Sequence, residues 1–196
     1  MIDDVMELIR NEVNQYVTSK NGSNGTEKVL LTAFVDDSGK TVIPKDTLGL
    51  SLLNIEEDRT LKQAVRPQLN PVGTLTQFAN PPVALNLQIM FTANFTEYKE
   101  SLKHISYILS CFQVKPSYNI KNTPALEGMP VYKLVFDLNT LGLEQQHYIW
   151  SMIGLRYLPS IIYKVRMLVV FEEEVAEEVP NIQHITTISG LKEVDD

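Results

Sequence analysis

Between residues 83 and 112 the hydrophobic period changes from two to three-and-four with hardly a break. Val83, Leu85, Leu87, Ile89 and Phe91 alternate as on a strand, and Phe95, Tyr98, Leu102, Ile105, Leu109 and Phe112 follow at helical spacing. A strand that runs straight into an amphipathic helix has two apolar faces to bury, and folding the helix back onto a sheet buries both. The spacing therefore predicts a helix of about five turns whose face from Phe95 to Phe112 packs on a flat layer.

The flanking sequence extends this layer. Val5, Leu8, Ile9, Val13, Tyr16 and Val17 place one stripe on a helix over residues 2–18, with Asp3 and Asp4 at the end where negative charge favours a helix start. Asn21-Gly22-Ser23-Asn24-Gly25 reads as an exposed turn, because Gly and Asn tolerate left-handed backbone. Strands are predicted at about 28–35 and 48–56. In the second, Leu48, Leu50 and Leu52 take one face and Leu53 and Ile55 the other. Further strands are predicted at about 131–138 and around Tyr163–Val169, the latter central because apolar residues occupy both of its faces, with a short helix from about 143 to Gly154 between them.

Two stretches lack a sustained period. Residues 58–82, rich in Gln, Asn, Thr and Pro, read as one long loop, a type that often carries a binding surface. Glu172-Glu173-Glu174 and Glu177-Glu178 end the core and open an acidic tail. The predicted fold class is α+β, with one mixed sheet flanked by helices. Its domain spans residues 1–175 and its acidic C-terminal tail residues 176–196.

Charge and cysteine content narrow the function. The net charge of −7 repels phosphate backbones, so nucleic acid is not an expected partner. With Cys111 alone, an intramolecular disulfide and a Cys-rich zinc site are both impossible. The opening Met1-Ile2-Asp3-Asp4 is acidic where a signal peptide is basic, and no apolar run approaches the roughly 20 residues of a membrane helix. Synthesis in the cytoplasm is expected, with no direct membrane insertion.

The candidate catalytic residues each have a simpler reading. His104 lies four residues after Glu100 and is expected to pair with it on a solvated helix flank. Glu144 and His147 repeat in miniature the Glu-x-x-His of di-iron bundles, which need a second such pair and two further Glu. Cys111 closes a helix, where a thiolate is disfavoured. Trp150 falls in the apolar set Ile149, Trp150, Ile153 and is expected to bury against the last strand. No nucleophile elbow, phosphate loop or dinucleotide fingerprint occurs. No catalytic residue, metal or cofactor is assigned.

Leu143-Glu144, Ile149-Trp150, Tyr157-Leu158-Pro159-Ser160 and Tyr163-Lys164-Val165, in this order and spacing, resemble the tail-terminator (cap) family of phage-tail-like contractile injection systems. Pro81-Pro82-Val83-x-Leu85-x-Leu87 and Tyr98 extend the resemblance, which covers roughly residues 1–171. The sequence departs from the family pattern at Ile89-Met90-Phe91-Thr92, where a Tyr-Leu pair is common.

The resemblance implies a bacterial structural protein that forms a homo-oligomeric, hexameric ring on the distal end of an inner tube and contractile sheath. The ring ends polymerisation and anchors the last sheath layer of a particle that is either released or held at a membrane. Within that frame, Arg59, Lys62 and Arg66 give the long loop a positive bias suited to acidic tube or sheath surfaces. Ile182, Ile185 and Ile188 have the strand propensity to add to a neighbour's sheet edge. Two other readings stay open: a monomeric protein-binding adaptor, and a small enzyme with an unrecognised site near His104 or His147.

Overall fold

A computed structural model describes residues 1–22, 27–58, 67–69, 75–79, 83–169 and 175–180. In chain order the elements are α1 (Ile2–Asn21), β1 (Val29–Leu31), β2 (Thr47–Glu57), β3 (Pro67–Leu69), β4 (Leu75–Ala79), β5 (Val83–Asn94), α2 (Tyr98–Val114), β6 (Ser117–Asn119), a single 3-10 turn (Pro124–Leu126), β7 (Val131–Leu138), α3 (Leu143–Ile153), β8 (Ser160–Val169) and β9 (Val175–Pro180). They fall into two units, residues 1–62 with 82–170 and residues 63–81 with 171–196.

The first unit is built on a six-stranded mixed sheet in the order β1-β2-β5-β8-β7-β6. Only β1 and β2 run parallel, and every other neighbour is antiparallel. The predicted central strand is indeed interior: β8 pairs with β5 from Val83↔Val169 to Thr92↔Ser160 and with β7 from Val131↔Val169 to Leu138↔Tyr163. Alternation along β5 divides the interior. Leu87, Ile89 and Phe91 join the main core with α1 and α2, whereas Met90 faces the other way and joins Trp150 of α3 and Ile162 of β8 in a smaller core. The sheet thus carries α1 and α2 on one face and α3 on the other.

Local chemistry explains the ends of several elements. The positive charge of the Met1 amine pairs with Asp3 at 2.6 Å and Asp4 at 2.7 Å over the first turn of α1, and Gly22 closes the helix at φ 64°. β1 is shorter than the strand predicted at 28–35. Asp36 Oδ1 accepts the backbone N–H groups of Ser38 and Lys40 and the Ser38 hydroxyl, a turn that draws the chain away from β2. α3 ends at Gly154, φ 74°, as the sequence predicts. In β2 a register shift between Leu52 and Asn54 marks a bulge at Leu53. Leu52 packs on the main core and Leu53 on the smaller one, the two faces assigned to them.

The second unit is a three-stranded antiparallel sheet ordered β3-β4-β9. It corrects two expectations. The stretch read as one long loop contains the strands β3 and β4, and the stretch set apart from residue 176 as an acidic tail opens with a strand that pairs with β4 from Leu75↔Pro180 to Ala79↔Val175.

Candidate functional site

Five residues were singled out for possible chemistry. Cys111 is buried, and loss of solvent pushes its thiol up to about 11, so the thiolate that nucleophilic work requires is suppressed. Trp150 is buried in the smaller core beside Ile162 of β8, as its helical spacing predicts. Glu144 Oε1 accepts the Tyr148 hydroxyl at 3.1 Å, and His147 Nε2 lies 3.5 Å from Ser151 Oγ, so both turn to neighbours on the outside of α3. Among the described residues no three His, Cys, Asp or Glu side chains gather where they could hold a metal ion.

His104 corrects the sequence reading. Instead of a solvated partner for Glu100 it is 2 % exposed, with its ring stacked on Phe95 at 4.1 Å between centroids. The Glu100 carbonyl, which can only accept, lies 2.8 Å from Nδ1, and the Asn21 amide lies 2.8 Å from Nε2. Nδ1 therefore carries the proton and Nε2 accepts from Asn21 Nδ2, which fixes a neutral tautomer. Burial lowers its pKa, outweighing the backbone hydrogen bond and the carboxylate of Glu100, 3.8 Å away, both of which raise it. The nearby Lys103 and Lys28 lower it further. This histidine joins α1 to α2.

The same rotation exposes a different surface. α2 buries Ser101, His104, Ile108, Cys111 and Phe112, not the stripe predicted from residue 95 to 112, of which Phe112 is the one fully buried member. Tyr98 is 64 % exposed, and Leu102 and Leu109 also face outward. The apolar arc of this helix is wider than the face it buries. α1 and α2, each about 10 Å across, cannot cover six strands spaced about 4.8 Å apart. Beside α2 an apolar groove of about 420 Å³ lies open, lined by Leu109, Phe112, Gln113, Phe136, Leu138 and Tyr163. Leu138 at its rim is 51 % exposed.

On the opposite face of the sheet, α3 buries only Trp150 completely. It turns Leu143, Tyr148 and Met152 outward, at 87 %, 62 % and 71 % exposure. Neither surface converges polar or titratable groups on a point, as a catalytic pocket does. Both have the exposed aromatic and aliphatic side chains of protein contact surfaces. The six residues first assigned to contacts, Arg59, Lys62, Arg66, Ile182, Ile185 and Ile188, lie outside the described residues.

Comparison with known proteins adds three findings. The family model described as the Pvc16 N-terminal domain matches residues 4–184. The solved sheath/tube terminator, in the extended state, of the extracellular contractile injection system PVC superposes over 100 % of this chain and 65 % of its own, with a TM-score of 0.65 and 15 % identity. The tube-terminating cap of the anti-feeding prophage superposes over 92 % of this chain and 60 % of its own, with a TM-score of 0.58 and 14 % identity. At these identities the likeness is one of fold. The chain spans less than two thirds of the length of either protein. A comparison with curated protein sequences gave no match.

Proposed function

The chain belongs to the Pvc16 N-terminal domain family, and from that premise we propose that it is a structural cap subunit, not an enzyme, of a phage-tail-like contractile injection system. Six copies form a ring on the distal end of the inner tube and sheath, end their polymerisation and anchor the last sheath layer. The observation that carries this reading is a fold shared along the whole described chain with a sheath/tube terminator, inside a family match from residue 4 to 184. The chemistry agrees: Cys111 is held as a thiol, His104 is sealed between two helices, and the open surfaces are apolar ridges and grooves.

The segments flanking the second sheet supply further contacts in this reading. Arg59, Lys62 and Arg66 meet acidic surfaces of tube or sheath, where complementary charge fixes register. The arm begins near residue 176. Its first residues pair with β4, and Ile182, Ile185 and Ile188 extend to the sheet edge of a neighbour. The subunit is made in the bacterial cytoplasm, and no helix among the described residues is long and apolar enough to cross a membrane.

The test is light scattering across a concentration series, with and without purified tube ends. A defined mass near six subunits, alone or on tube ends, is the expected result. A strict monomer that also ignores tube ends would point to the adaptor reading.

A further inference from the structure

We infer that a small polar pocket over β5, β7 and β8 receives one neutral carboxamide, the side chain of a glutamine or asparagine presented by a neighbouring protein. Asn86, on the floor of this pocket, is 4 % exposed, and its Oδ1 is buried without a hydrogen-bond partner among the described residues. A buried carbonyl oxygen left unpaired costs free energy, which a donor brought from outside recovers. Asn86 lies four residues before Met90 on β5 and so belongs to the same face of the sheet, the face on which α3 packs at Met90 and Ile162. Arg166 stands opposite Asn86 on β8, and Val135 stands opposite Arg166 on β7. With Ala84, Lys133 and Asp58 they line a pocket of about 150 Å³. Sites for free small molecules hold roughly 300–1,000 Å³, so this one has room for the head of a single side chain and little more.

The lining selects the chemistry. Asn86 Oδ1 asks for a donor, whereas Lys133 and Arg166 have only donors to offer. Arg166 gives its Nε–H to Asp137 Oδ2 at 2.8 Å. With that partner included, the positive charges of Lys133 and Arg166 meet the negative charges of Asp58 and Asp137. A carboxylate or an ammonium would give up water here for no net counter-charge. A neutral occupant with one donor and one acceptor fits instead. An amide carries them on different atoms, so its NH₂ reaches Asn86 while its carbonyl accepts from Lys133 or Arg166 at the exposed rim. Turned about, Asn86 would bury its own NH₂ and need an acceptor, which an amide also has. A hydroxyl holds donor and acceptor on one oxygen and cannot serve floor and rim together. Such a site stands apart from the ring reading, since all of these residues lie in the first unit and none of the chemistry depends on what that unit caps.

The test is an NMR titration of the isotope-labelled chain with acetyl-Gly-Gln-Gly-amide and with its Glu, Lys, Ser and Leu counterparts. The signals to follow are the Asn86 side-chain amide and the backbone amides of Leu85 and Met167, which also line the pocket. The five peptides share one backbone, so any difference among them belongs to the side chain. The Gln peptide is expected to shift these signals saturably, with a dissociation constant roughly tenfold below the other four, about the worth of one good hydrogen bond.

Asn86→Leu should abolish that preference. Lys133→Met, at an exposed position, leaves the lining with one excess negative charge and should hand the preference to the Lys peptide. It carries the test if Asn86→Leu fails to fold, which the dispersion of the amide signals reports. A wild type that shows no saturable shift, binds all five peptides equally or prefers a charged one would overturn the site. So would a preference for Gln that survives Asn86→Leu, or one that Lys133→Met leaves in place. None of these outcomes touches the cap reading.

Discussion

His104 Nε2 accepts a hydrogen bond from Asn21 Nδ2 at 2.8 Å, so the last residue of α1 is joined to the buried flank of α2 through an unprotonated ring nitrogen. The pH dependence of stability follows. Burial lowers the folded-state pKa of His104 below its ordinary value of 6.5. Above pH 6.5 both folded and unfolded chains hold the ring neutral and its contribution is intact. As pH falls below 6.5 the unfolded chain takes up the proton first, and stability declines until the folded pKa is passed. Urea midpoints measured from pH 7.5 to 5 should fall for the wild type, and His104→Gln should lose part of that slope. An unchanged slope would place the titration elsewhere.

Gly49 is the second sensitive point. A Cβ there would stand 2.8 Å from Ile43 Cδ1 and 2.9 Å from its Cγ1. Gly49→Ala is expected to cost about 1–3 kcal/mol through overpacking, and Ile43→Val in the same chain should return part of the loss. A double-mutant cycle in urea reads the coupling directly.

Phe91 packs against Phe112 and Tyr163, with ring centroids 5.9 and 6.4 Å away, and has no exposed surface. Phe91→Ala should cost about 3–5 kcal/mol by leaving a cavity in the main core. Leu143→Ala, on the exposed ridge of α3, should change monomer stability by no more than about 0.5 kcal/mol. Comparable losses at the two positions would mean that α3 is buried in the isolated subunit.

Cys111 should resist thiol reagents in the native protein. Its pKa of about 11 and its burial leave little thiolate at pH 8. Labelling with a chromogenic disulfide at pH 8 is expected to be slow in buffer and rapid in 6 M urea. Equal rates would show that the lower end of α2 opens freely.

The residues that reported the fold most faithfully were those under a single demand. Along β5 the alternation of Leu87, Ile89 and Phe91 places each in the main core, and the stripe of Val5, Leu8, Ile9, Val13 and Val17 is the face that α1 buries. α2 is less direct. Its apolar residues form an arc wider than the face that packs inside the subunit, and periodicity cannot say which of them go inward, so Ser101 and His104 went inward where Tyr98 and Leu102 were expected. β3 and β4 escaped notice because strands of three and five residues among Pro, Gln and Thr are too short to establish a period. β9 was hidden for another reason: a run of glutamates reads as solvated, although backbone pairing with β4 places no demand on side-chain hydrophobicity. The open groove beside α2 had no signature at all, because it depends on how many strands the two helices leave uncovered.

The pairing of β4 with β9 joins residues 75–79 to residues 175–180. A ribosome adding roughly 5–20 residues per second takes several seconds to cover that interval, and until it does the β3-β4 hairpin waits without its third strand. The nascent chain can assemble the order β2-β5-β8 of the large sheet before the small one is complete, so the two sheets mature at different times. A chain that ended after β8 would hold every strand of the larger sheet and leave β4 without β9 as its neighbour.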